Sequence, residues 1–290
     1  MKYVYIINRF QAKEKTADII RKLKSVSERF CRDFEIKVND TPRDAELMKD
    51  YFKDTAHVVT AVGGDGSIYH LINDLVGTQN ILSFIPYGTG NDFYRTVSIT
   101  LTSGIHKADL IRINDRYAIN IASFGFEADA ANDERFTHNR LIPKPLRLSV
   151  CLLWHLLTFK RGRLLRIEIG DEIIEGEFTT VAALNGQFFG GGCRLSPYSH
   201  IDDGIMEVYA VDKLSKAGVI KLVMSTKNAE HLKNSAVRAF QSNKAVISSP
   251  YPFSASIDGE PYYSDRFELE LIREGIRLEY DERFLSYFRE

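Results

Sequence analysis

Cysteine is scarce in this 290-residue chain: Cys31, Cys151 and Cys193 are the whole set, widely spaced and without a Cys-x-x-Cys pair. That pattern excludes a disulfide framework and a zinc knuckle, and predicts buried thiols in a reducing compartment. Net charge is lacking too, at -1 from 38 basic and 39 acidic residues, so no global field favours nucleic acid and none is expected as a partner. No long apolar run occurs. The most apolar stretch, 148–159, is interrupted by His155 and stopped by Lys160, short of the roughly 20 residues a spanning helix needs. Lys2 to Asn8 reads as a strand, with no charged segment leading into a long apolar one, so no signal peptide is expected and a cytoplasmic location is.

What is present is a change of texture along the chain. The first third alternates strand and helix: 3–8, 14–30, 33–39, 43–53 and 57–62, followed by a short apolar strand at 81–86. This rhythm predicts a parallel sheet with helices on its faces. From about Tyr117 the runs become short and rich in β-branched and aromatic residues, at 117–122, 164–169, 177–183, 205–211, 244–248, 253–257 and 267–272. They predict an antiparallel second domain. Helical patterns interrupt it near 145–159 and 216–227. The boundary expected from the change of period lies at 117/118.

Two consecutive strands of the first domain run into glycine turns. After the first comes Val62-Gly63-Gly64-Asp65-Gly66-Ser67. Glycines let backbone N–H groups approach phosphate oxygens without Cβ obstruction, and the following helix adds its positive dipole end. Asp65 would repel a phosphate directly, so it suits a Mg²⁺ ion or the attacking hydroxyl better; the plainer reading is an Asp-capped turn. After the second strand, Pro86-Tyr87-Gly88-Thr89-Gly90-Asn91-Asp92-Phe93 repeats the arrangement with Thr89, Asn91 and Asp92 as polar groups. Successive turns at strand carboxyl ends favour one shared phosphate site. Neither turn carries the Gly-Lys-Ser/Thr of a Walker loop or the dinucleotide fingerprint.

Gly63 to Ser67, followed by Pro-x-Gly-Thr-x-Asn-Asp-Phe at 86–93, resembles the catalytic domain of the diacylglycerol kinase family, in its soluble bacterial lipid kinase branch. The likeness continues through Asn120 to Ala128, through Gly190-Gly191-Gly192 with Pro197 and Asp203-Gly204, and through Asp258-Gly259-Glu260, in the family's order. It implies an N-terminal Rossmann-like α/β nucleotide-binding domain of the NAD kinase and phosphofructokinase type, a C-terminal antiparallel β-sandwich, and ATP and lipid meeting in the cleft. Residues 277–290 would return to the first domain, leaving 118–276 as the sandwich. By the same resemblance Glu260 takes the proton of the lipid hydroxyl, with Asp258 and Asp65 beside the phosphates and their Mg²⁺; the base could be apportioned to Asp65 or Glu260. Asp258-Gly259 is otherwise a plain β-turn. His200 to Ile205 resembles a structural Mg²⁺ loop, with the Asp203 carboxylate and the carbonyls of His200 and Ile205 as ligands; unaided, Asp-Asp-Gly reads as a hairpin turn. Thr41 falls where the family places a nucleotide-contacting hydroxyl, and is otherwise a helix N-cap. Asn8 opens the first loop, but Asn8-Arg9-Phe10-Gln11-Ala12-Lys13 replaces the family's Asn-Pro-x-Ser-Gly, so Arg9 or Lys13 would have to meet phosphate with a cation.

The resemblance therefore implies phosphoryl transfer from ATP to a lipid hydroxyl, with diacylglycerol first among the acceptors and phosphatidic acid as its product. A soluble-substrate kinase related to NAD kinase shares Gly-Gly-Asp-Gly, but not the second turn or Asp-Gly-Glu. A non-catalytic lipid- or nucleotide-binding regulator would have no need of Asp65, Asp258 and Glu260 together. No acidic residue occurs between Glu134 and Glu168, where eight Arg and Lys flank the apolar 148–157. That stretch suits peripheral contact with an anionic membrane surface or a buried helix with solvated basic ends. A homodimer is a further candidate assembly.

Overall fold

The structure, a computed structural model, describes residues 1–8, 16–41, 44, 48–88, 90–131, 133, 135, 150, 151, 154, 155, 158 and 162–289, with only the backbone of Glu127 and Ala131. The chain forms two compact units, Met1–Ala108 with Glu274–Glu290, and Asp109–Arg273.

In the first unit β1 (Tyr3–Asn8), α1 (Thr16–Arg29), β2 (Phe34–Asn39), α2 (Met48–Phe52), β3 (Val58–Gly63), α3 (Asp65–Leu75), β4 (Ile81–Pro86) and α4 (Asp92–Thr100) alternate as the sequence predicts. The strands are parallel in the order β4-β3-β1-β2. β3 and β4 are buried along all but their last residue, which is why they read as unbroken apolar runs rather than alternating ones. α1 buries Ile19, Leu23 and Val26, spaced four and three apart on one face. Cys31 departs from the buried-thiol expectation. It is exposed, because it ends the turn after α1 with φ 49° and donates its N–H to Glu28.

The second unit is antiparallel. Its elements are β5 (Gly104–Ile113, entering from the first unit), β6 (Arg116–Ala118), β7 (Ile121–Gly125), α5 (Phe126–Ala131), β8 (Arg163–Ile169), β9 (Glu172–Leu184), the short pair β10 (Phe188–Phe189) and β11 (Cys193–Arg194), β12 (Met206–Asp212), α6 (Lys216–Ser225), β13 (Val237–Ser242), β14 (Lys244–Ile257) and β15 (Glu260–Tyr280). β9 and β14 each pair with β8 along one half and with β7 along the other. β14 changes register between Ser248 and Phe253, where Pro250 and Pro252 remove ladder donors. Long strands that switch partners at such a break build a sandwich-like pair of sheets.

The end of β15 returns to the first unit, where Arg277 and Leu278 pair in parallel with Ile81 and Leu82 of β4. α7 (Glu282–Arg289) then buries Phe284, Leu285 and Phe288. Phe284 stacks on Tyr5, with ring centroids 6.2 Å apart. Arg32 lies 3.8 Å from the Phe284 ring and 4.0 Å from Tyr3, with its guanidinium 2.6 Å from Asp281.

The units divide at 108/109 and 273/274, against 117/118 and 276/277 in the sequence reading. Asp109 already belongs to the second unit, donating its N–H to the Ile201 carbonyl at 2.6 Å, while Ile111 pairs with Ala118. The strand expected over 117–122 is broken into β6 and β7, for a reason that lies in the site.

Candidate functional site

The two glycine turns of the first unit are built against each other. Tyr87 donates its N–H to the Gly63 carbonyl at 2.8 Å. A Cβ on Gly64 would stand 3.1 Å from the Gly88 Cα, and one on Gly88 would overlap the Gly64 Cα, so both positions need glycine for close backbone approach. Asn91, at φ 54°, closes the second turn: its Oδ1 accepts from the Gly88 N–H at 3.0 Å and its Nδ2 donates to the Gly88 carbonyl at 2.9 Å. Asp65 opens α3 and accepts the N–H groups of Asp92 (3.1 Å) and Phe93 (3.0 Å). Its carboxylate therefore satisfies first-turn donors of α4, a cap supplied from the neighbouring turn. Gly66 and Ser67 follow in the first turn of α3, and a Cβ on Gly63 would collide with the Ser67 side chain. Asp92 is buried, 3.6 Å from Arg95. Thr89 lies outside the described residues, as do 9–15.

Beside these turns Asn8, buried at the end of β1, accepts from the Asn39 amide at 3.0 Å. Asn8, Asn39, Ser67, His70 and Asp74 line a cavity of about 20 Å³. Burial pushes the Asp74 carboxyl up to about 6, against the pull of Lys49 and His70. Thr41 is exposed and exchanges bonds with Asp44: its Oγ1 accepts the Asp44 N–H at 3.3 Å, and the Asp44 carboxylate accepts the Thr41 N–H at 2.8 Å. This reciprocal pairing is that of a helix cap.

In the second unit Asp258 and Gly259 form the two-residue turn from β14 to β15, at φ 47° and 94°, with Ile257 paired to Glu260. Positive φ at both central positions is the type I′ hairpin condition. The buried Asp258 carboxylate accepts the N–H groups of Ile119 (2.8 Å), Asn120 (3.1 Å) and Ile121 (2.8 Å). These three donors turn toward a side chain instead of a strand, and so β6 and β7 are separate. Glu260, partly exposed, is the first residue of β15. Asn120 extends the network, its amide donating to the Phe188 carbonyl at 2.8 Å and its own carbonyl accepting from Asn185 and Gly186.

The loop from His200 to Ile205 holds Asp203, whose Oδ1 accepts the Ile205 N–H at 2.9 Å. Buried Asp109 accepts the Gly204 N–H at 2.7 Å. Desolvation raises the Asp203 pKa, and the Asp109 carboxylate adds to the rise. Asp109 escaped the sequence reading; its only signal was one acid inside the apolar strand Lys107 to Ile113.

The second unit holds an apolar cavity of about 160 Å³ between strands β9 and β12, helix α6 and the 226–233 segment, with Phe126, Phe189, Leu195, Val219 and Leu222 among its walls. His231 lines it too, beside neighbours that come from distant segments of the chain.

Much of the basic, apolar stretch singled out in the sequence lies outside the described residues. Of those described, Val150 and Trp154 are exposed and Cys151 is buried. Asp133, Cys151 and His155 could offer three metal-ligating atoms, but Arg135 grips the Asp133 carboxylate at 2.6–3.2 Å and burial pushes the Cys151 thiol up to about 11. That group reads as an ion pair beside a protonated thiol.

Residues 2–124 match the diacylglycerol kinase catalytic domain, and residues 120–271 match the YegS C-terminal NAD kinase beta sandwich-like domain. The chain belongs to the diacylglycerol kinase family, in its YegS-like bacterial lipid kinase branch. A probable lipid kinase YegS-like of Xanthomonas oryzae is 30% identical over 84% of this chain and 85% of its own length. A diacylglycerol kinase of Bacillus subtilis is 25% identical over 70% of this chain and 71% of its own. A putative diacylglycerol kinase of Bacillus anthracis superposes with a TM-score of 0.76 over 97% of this chain and 95% of that one, at 18% identity, a likeness of fold. Family membership accounts for the α/β unit followed by the sandwich-like one. No helix among the described residues is long and apolar enough to cross a membrane.

Proposed function

We propose that this member of a lipid kinase family transfers the γ-phosphoryl group of Mg-ATP to a lipid hydroxyl, with diacylglycerol as the first acceptor to test. The observation that carries the lipid part is the apolar cavity of about 160 Å³ in the second unit, which suits a hydrocarbon chain and offers a soluble phosphate ester nothing.

The nucleotide belongs to the paired glycine turns. Asp65 already occupies the first amides of α4, so the phosphates are assigned to the α3 end, at Gly63, Gly64, Gly66 and Ser67, with Gly88, Asn91 and Asp92 forming the facing wall and Asn8 and Thr41 further out. Mg²⁺ bound with the nucleotide would supply positive charge against that developing on the transferred phosphoryl group. Glu260 accepts the proton of the attacking lipid hydroxyl, while Asp258 and Asp65 act through the backbone they hold. A second Mg²⁺ at the 200–205 loop would be held by the Asp203 carboxylate and the carbonyls of His200 and Ile205, oxygen donors of the kind a hard cation takes, and the nearby Asp109 would make added positive charge favourable. α6 gives the lipid its way in: Val219 and Leu222 line the cavity, while Ile220, Val223 and Met224 are exposed.

Purified protein with Mg²⁺, labelled ATP and mixed micelles of lipid alcohols should yield labelled phospholipid, and Glu260→Gln should lower kcat by about 10²- to 10⁴-fold, the usual worth of a general base. ATP binding without transfer to any lipid alcohol would refute the proposal.

A further inference from the structure

His231 stands in the wall of the apolar cavity and is buried to 5% exposure. Its Nε2 lies 2.9 Å from the Leu195 carbonyl oxygen. A carbonyl can only accept, so Nε2 carries the hydrogen and, in the neutral ring that burial favours, Nδ1 presents a lone pair. That lone pair is buried and has no hydrogen-bond partner.

The other side-chain oxygens of the cavity wall are engaged. Thr179 donates to the Asp212 carbonyl and accepts from the Leu214 N–H, Thr180 donates to Phe124, Thr226 donates to Val223, and the Tyr209 hydroxyl pairs with Ser196 at 2.8 Å. Among the described residues, His231 Nδ1 is the one side-chain nitrogen or oxygen of that wall buried without a partner. A buried acceptor without a donor is costly, and the walls around it are hydrocarbon. The ligand that completes the cavity therefore has an apolar body and one N–H or O–H.

We propose that His231 Nδ1 accepts a hydrogen bond from the acceptor lipid, so that the cavity selects lipids carrying a second donor, a free hydroxyl or an amide N–H, besides the hydroxyl that is phosphorylated. The inference rests on the lipid kinase reading and narrows it. Diacylglycerol has one hydroxyl, the one that receives phosphate, and its ester oxygens only accept; monoacylglycerols and N-acyl amino alcohols supply the further donor. Losing such a bond to a buried acceptor corresponds to roughly 10- to 100-fold in affinity.

Two matched ligand pairs test this by equilibrium binding to the full chain in detergent micelles: 1-oleoylglycerol against its 2-O-methyl ether, and an N-oleoyl amino alcohol against its N-methyl amide. The donor lipid of at least one pair should bind tenfold or more tightly. His231→Phe should bind both members of that pair equally, while His231→Gln, which offers both an amide N–H to Leu195 and an oxygen to the ligand, should keep the preference. Thermal melts establish that each variant is folded. Equal binding within both pairs, persistence of the preference in His231→Phe, or no binding of any lipid overturns the proposal. Labelled phosphate transfer, followed in the same samples, judges the kinase reading separately: binding with the predicted preference but without transfer would sink that reading alone.

Discussion

At Asp258 a single carboxylate does the work of half a strand pair, accepting three consecutive backbone N–H groups and ending β6 where β7 begins. Asparagine tolerates the positive φ of this position but replaces one accepting oxygen with an NH₂ that faces donors. Asp258→Asn should therefore destabilise the second unit by about 3 kcal/mol, the order expected for charge-assisted bonds lost at a buried site. Urea denaturation followed by tyrosine and tryptophan fluorescence measures this, and an unchanged midpoint would show that the three bonds are not held in solution. Because Glu260 stands two residues on, the same variant should also slow phosphate transfer.

Among the helices, α3 carries a built-in pH dependence. Burial holds Asp74 at about 6 against 3.8 for the free group. The native state thus binds the proton more readily than the unfolded one, so stability is greatest below about pH 4 on this account and falls as pH rises toward 6. Above that the carboxylate costs at most about 3 kcal/mol. Asp74→Asn should raise the urea midpoint at pH 8 and leave it nearly unchanged at pH 4; equal gains at both would assign the effect to something other than ionisation. On α6, a helix with one face on the cavity and Met224 at 72% exposure on the other, the expectation concerns membranes. Met224→Glu should weaken co-sedimentation with vesicles of mixed neutral and anionic lipid severalfold while leaving ATP binding intact.

Across the whole molecule, local signals were readable and long-range ones were not. The glycine turns, the parallel strands and the Asp-Gly hairpin each follow from a few adjacent residues, so β4 was legible to the residue. The division at Asp109 was not, since it depends on a partner at Ile201 far along the chain. Nor was the break at Ile119, because its cause sits at Asp258. The cavity is similarly invisible in sequence: Thr179, Leu195, Val219 and His231 meet only when distant segments pack. The carboxyl-terminal return, expected from the resemblance, gives Tyr5 its stacking partner Phe284 and gives Arg32 both Phe284 and Asp281.

That return also sets an order of events during synthesis. Domains generally fold as they emerge from the ribosome, the amino-terminal one first. Here the first unit is missing a strand partner for β4 and the aromatic cover of Tyr5 until the residues from Glu274 onward are made. The contiguous second unit, 109–273, should therefore reach its native state while the nucleotide unit is still waiting for its last helix. Nascent chains stalled at residue 273 and probed by limited proteolysis should protect the second unit and expose the first, and ATP should bind only to chains that extend through α7.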